Sequence, residues 1–160
     1  MAKYYSSPKA GDIVQCRFPQ DKLRQPGPKE RPALVIDVEE YELPDGLLEI
    51  FVTVAYGTSE NVNYRYPGEL KIESSDSHAG LSFDTKFDIG NRVKLPFDAE
   101  WFAPSPNKRF GDHPKRGILN TSDANLKRRL SSAITELKQA ARPRSVDMTT
   151  RSTGRKKSKT

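Results

Sequence analysis

Cysteine is nearly absent from this chain. Cys16 stands alone, so no internal disulfide can form and no metal site can be built mainly from thiolates. Long apolar runs are absent too. The longest, Ala33-Leu34-Val35-Ile36 and Ile50-Phe51-Val52, fall far short of the roughly 18 residues a membrane-spanning helix requires. Met1 to Pro8 carries no apolar segment of the kind an export signal needs. The expectation is a cytoplasmic protein that makes no membrane contact and uses no metal or other cofactor. Histidine is scarce, with only His78 and His113. At 160 residues and 34% apolar content there is material for one hydrophobic core and not for two.

Charge is plentiful but unevenly placed. Residues 141–160 hold seven basic side chains (Arg142, Arg144, Arg151, Arg155, Lys156, Lys157 and Lys159) against one acid, Asp147. Taking these from the 27 basic and 21 acidic residues of the chain leaves 20 of each, so the body is formally neutral and the net +6 belongs to the tail. Its Ser/Thr-rich, aperiodic composition predicts disorder. Such a tail either attracts nucleic-acid phosphates without sequence preference or is a solvated extension.

Gly11 to Phe18 alternates apolar and polar side chains and predicts a first strand. Pro19 to Pro32, broken by five Pro or Gly residues among six charges, predicts an exposed loop. Ala33 to Val38 has the continuous apolar character of a strand buried on both faces. Pro44-Asp45-Gly46 predicts a hairpin turn into the β-rich stretch Leu47 to Tyr56. Shorter strands are expected at Glu69 to Ile72 and Arg92 to Phe97, with Trp101-Phe102 as a core plug. One helix is expected after Asn120-Thr121-Ser122-Asp123, with Leu126, Leu130, Ala133, Ile134 and Leu137 on its apolar face and Arg142-Pro143 as its end. The expected organisation is an N-terminal extension over 1–10, a mainly β domain over 11–140 with a strongly bent sheet or barrel and the helix across one end, and the basic tail over 141–160.

Gly11-Asp12-Ile13-Val14, a polar loop, and Lys29-Glu30-Arg31-Pro32-Ala33-Leu34-Val35-Ile36 resemble the opening signature of the PemK/MazF family. Val54 to Ser59 is similar to the family's third long strand, which ends in Thr or Ser, and Phe83 to Pro96 to a later D-S or D-T turn, strand and basic residue. The resemblance covers about residues 10–100 and the terminal helix. It implies an SH3-like β-barrel homodimer, a toxin that cleaves single-stranded RNA without metal, and a small antitoxin partner that silences it, with operator DNA bound by the complex. Such cleavage needs a group that accepts the 2′-hydroxyl proton, a cation for the pentavalent phosphate and a donor for the leaving oxygen. Arg31 meets the cation requirement, held by the fixed φ of Pro32 at the mouth of a strand. Thr58 is the partner carried over from the family, with Ser59 as its alternative because Gly57 shifts the register. Lys29, Arg24, Arg65, Tyr66 and Arg92 are the candidates for RNA contact.

Other readings stand beside these. Tyr56, Tyr64, Tyr66 and Arg65 either stack on unpaired bases or pack a loop. Asp84 and Asp88 suit turns better than acid-base work, Cys16 suits a core, and His78 is the substitute base if Arg31 lacks a partner. Three departures mark the chain: the proline-rich loop around Arg24 to Pro28, added length at Asn61 to Tyr66 and Ser74 to Ala79, and the tail. The alternative function is a non-catalytic DNA-, RNA- or protein-binding barrel; the neutral body favours either that or an enzyme with low intrinsic affinity for RNA, and a third reading is a barrel acting only as a partner subunit.

Overall fold

Gly11, with φ of 94°, turns the chain into its first strand, and the Asp12 carboxylate closes that turn by accepting the Lys9 backbone N–H at 2.9 Å. The computed structural model describes residues 4–20, 25–140, 144–147 and 155–156. Its main strands are β1 (Asp12–Cys16), β4 (Arg31–Glu42), β5 (Leu48–Thr58), β6 (Glu69–Ile72), β7 (Thr85–Pro96) and β8 (Lys115–Ile118). These six lie in the order β6-β7-β5-β4-β1-β8, every neighbouring pair antiparallel. Register shifts that leave extra residues in β8 (Arg116), β4 (Ile36) and β7 (Ile89 to Asn91) add to the natural twist and curl the sheet into a half-barrel.

Alternation sends side chains to both faces of this sheet. Val14, Cys16, Ala33, Val35, Val52, Val54, Val93 and Leu95 meet Trp101 and Phe102 on one face. Ile13, Leu34, Ala55, Leu70, Phe87 and Ile89 form the second cluster with Leu126 and Leu137 of the helix α1 (Ala124–Ala140). The apolar run of β4 therefore feeds two cores, as a doubly buried strand must, and the expected mainly β fold with a C-terminal helix is the one observed. Buried Cys16 and the Trp101-Phe102 plug sit as expected.

Five details differ from the sequence reading. The proline-rich loop is not wholly irregular: β2 (Pro19–Gln20) pairs with β3 (Gln25–Pro26). The last long strand begins at Thr85 rather than Arg92, and β8 was not expected at all. Ile134 is 40% exposed, because at about 100° per residue it lies some 80° around the helix from Leu126, off the stripe that Leu130, Ala133 and Leu137 continue. In the tail, β9 (Arg144–Asp147) runs parallel to β7 and β10 (Arg155–Lys156) pairs with β4; the rest of the expected disordered segment lies outside the described residues. No helix among the described residues is long and apolar enough to cross a membrane.

Candidate active site

Arg31 opens β4 opposite Cys16 of β1, and Pro32 stands opposite Gln15. The residues on either side of Arg31 are both restrained. Glu30 accepts from Arg17 at 3.1 Å, Arg17 also donates to the Ala99 carbonyl at 2.7 Å, and Pro32 has a ring-fixed φ. The β4/β5 register, continued past its last pair of Ala33 and Tyr56, brings Arg31 alongside Thr58. Gly57 makes that approach possible, since a Cβ there would collide with the Pro32 carbonyl and stand 2.8 Å from the Phe87 ring.

The ends of β4 and β5 line a cleft of about 440 Å³ whose walls include Lys29, Arg31, Thr58, Ser59 and Glu60. Gln15, Ser82, Phe83 and Arg116 line it as well. The Arg31 guanidinium is half-buried and has no hydrogen-bond or ion-pair partner among the described residues. A planar cation held at a strand end and left unpaired is a receptor for a phosphate or carboxylate. The Thr58 hydroxyl accepts the Glu60 backbone N–H at 3.1 Å, which forms a tight turn and keeps its own proton available to donate. Ser59 is exposed on the same turn. The two carboxylates of the cleft differ: Glu30 is bound to Arg17, whereas Glu60 is exposed and has no side-chain partner among the described residues.

The structure thus gathers Lys29, Arg31, Thr58 and Ser59, and places Arg65, Tyr66 and Arg92 elsewhere. Arg65 forms a two-pronged ion pair with Glu136 at 2.6 and 2.8 Å and donates to the Glu69 carbonyl, so its guanidinium anchors the helix. Tyr66 is exposed, packed edge-on against Tyr64 with the Lys86 ammonium over its ring at 5.3 Å. Both tyrosines belong to a loop held by Lys86, which donates to the Tyr64 carbonyl at 2.8 Å and pairs with buried Glu69 at 3.1 Å. Arg92 donates to the Ile89 carbonyl at 2.7 Å and is not part of the cleft lining. Arg24 lies outside the described residues.

Neither histidine lines the cleft. His113 accepts the Lys115 N–H through Nδ1 at 3.0 Å, which makes Nε2 the donor to the Ser6 carbonyl at 2.9 Å. His78 lines a separate depression beside Asp76. Asp84 binds the Ser74 backbone N–H and hydroxyl, and these bonds lower its pKa, as a turn-closing carboxylate's should be. Burial pushes the Cys16 thiol well above its ordinary range, which removes it as a nucleophile. Among the described residues no three His, Cys, Asp or Glu side chains converge.

Among the cleft residues that the sequence alone does not single out are Glu60, Phe83 and Arg116. Glu60 follows Thr58-Ser59 directly and a search for the missing proton acceptor could have started there. Phe83, 70% exposed, and Arg116, 3% exposed, carried no local signal, since each looks unremarkable beside its sequence neighbours.

The fold and the site together define a small half-barrel of antiparallel strands with an unpaired guanidinium in a cleft at one strand end. A family model of PemK-like, MazF-like toxins of type II toxin-antitoxin systems matches residues 9–93, and the chain belongs to that family. Toxins of this family are generally endoribonucleases, and membership implies a cognate antitoxin as partner. No curated protein matches the chain.

Proposed function

We propose that this protein is a metal-independent endoribonuclease that cuts single-stranded RNA, acting in the cytoplasm as a homodimer until its antitoxin occupies the cleft. The unpaired Arg31 guanidinium beside Thr58 supports this reading above all. Glu60 accepts the proton of a ribose 2′-hydroxyl, the 2′ oxygen attacks the adjacent phosphorus, and the bond to the 5′ oxygen breaks. Arg31 neutralises the charge that gathers on the pentavalent phosphate, with a hydrogen bond from Thr58 or Ser59. Lys29 gives the leaving 5′ oxygen its proton: an ammonium can part with one, whereas a guanidinium keeps its own at any physiological pH. The products are a 2′,3′-cyclic phosphate and a 5′-hydroxyl.

Purified protein is expected to cut single-stranded RNA in EDTA and leave those ends. Arg31→Ala should abolish cutting with an unchanged melting temperature, because the side chain it removes holds nothing in place. Cutting retained in that variant refutes the assignment.

A further inference from the structure

We propose that Arg116 and Phe83 form a nucleotide subsite in the same cleft, Arg116 receiving a phosphate and Phe83 stacking on the neighbouring unpaired base. The inference rests on the ribonuclease reading for its substrate class. Arg116 lies on β8, 3% exposed, and donates to three neutral acceptors: the Gln15 side-chain oxygen at 2.6 Å, the Ser82 hydroxyl at 3.0 Å and the Gly80 carbonyl at 3.2 Å. No carboxylate pairs with it among the described residues. A guanidinium has five N–H donors, so two remain after these bonds. Burial without a counter-charge lowers the pKa of Arg116 from its ordinary value, and an anion entering the cleft relieves that cost.

Position links this cation to the proposed chemistry. Gln15, which holds one arm of Arg116, is the cross-strand neighbour of Pro32, and Pro32 follows Arg31. Ser82, which holds another arm, precedes Phe83, whose ring is 70% exposed at the cleft. A buried positive charge bonded to the residue before an exposed aromatic ring matches the two parts of a nucleotide in an unpaired strand, and stacking tolerates any base. An acidic side chain would satisfy Arg116 alone and leave Phe83 uncovered.

The test uses the full chain and a single-stranded 2′-deoxy oligonucleotide, which binds but cannot be cut. Phe83→Trp should show fluorescence quenching as the oligonucleotide saturates it. Phe83→Ala should weaken oligonucleotide binding and raise KM for RNA by about 5- to 150-fold, with kcat within about twofold of the wild type. Arg116→Met should reduce the slope of log affinity against log salt by about 0.7, the share of one phosphate contact on a single strand. Should Arg116→Met fail to fold, the Phe83 variants decide, since that ring is exposed. Wild-type cutting with unaltered Phe83→Ala kinetics and no quenching overturns the subsite and leaves the ribonuclease reading standing. Quenching without any RNA cutting by the wild type overturns the ribonuclease reading instead. An acidic peptide that quenches as strongly as the oligonucleotide overturns the nucleotide assignment.

Discussion

Gly57 is where packing and chemistry meet in a single residue. Its backbone passes so close to the Pro32 carbonyl and the Phe87 ring that the atom opposing any side chain is main chain, which cannot rotate away. In Gly57→Ala, β4 and β5 must separate at the cleft, and overpacking of this kind costs about 1–3 kcal/mol. Separation also parts Arg31 from Thr58, so RNA cleavage should fall well beyond what the loss of folded protein explains. Gly46→Ala supplies the contrast. Gly46 has φ of 85° with nothing within 4 Å, so a Cβ there costs about 1–2 kcal/mol of backbone strain and touches no cleft residue. Thermal melts and cleavage rates measured on both variants should show comparable destabilisation and a loss of activity in Gly57→Ala alone. Equal activity in the two would mean that the spacing of these strand ends does not govern the chemistry.

The helix is fastened by two residues with different pH behaviour. Leu137 packs against Gly68 and fills the space a Cβ there would need, and Leu137→Ala should cost about 2–5 kcal/mol while Ile134→Ala, on the exposed edge, costs under about 1 kcal/mol. Glu136 is held by Arg65 and by the Gly68 backbone N–H at 3.3 Å, and these bonds lower its pKa from 4.5 to about 2. A carboxylate depressed in the folded state stabilises it fully above its unfolded pKa. That contribution therefore fades as pH falls from about 4.5 through about 2. Melts of Glu136→Gln across that window should lack this component, and the variant should already be weakened at neutral pH. The fastening also shows which elements could be read from sequence. The apolar spacing of α1 and the alternation of β1 were legible because each buries its own periodic side chains. The first half of β7 and all of β8 were not, because Lys86 is buried by Glu69 and Arg116 by Gln15, Gly80 and Ser82, partners distant in sequence. Arg31 and Thr58 were legible through a motif, whereas Phe83 and Arg116 enter the cleft only once β8 joins β1.

At the scale of the whole molecule, charge and cleft are divided between two parts of the chain. Residues 1–140 are formally neutral and the net charge of +6 resides in residues 141–160, so under the proposed function the cleft works through individually placed cations rather than through a broad field. On the proposed reading, turnover belongs to the individually placed cations and salt-dependent affinity to the basic tail. The two contributions are separable by changing Arg155, Lys156, Lys157 and Lys159 together to Gln in the full chain. If all four meet phosphates on a single strand, the slope of log affinity against log salt should drop by up to about 3. Under saturating RNA, kcat should stay within about twofold, since Lys29, Arg31, Thr58 and Glu60, the residues proposed for the chemistry, are left unchanged. An unchanged salt slope would assign the tail to solvation. A collapse of kcat at saturation would instead make the tail part of the cutting machinery, and would place the working cations of this toxin on two parts of the chain instead of one.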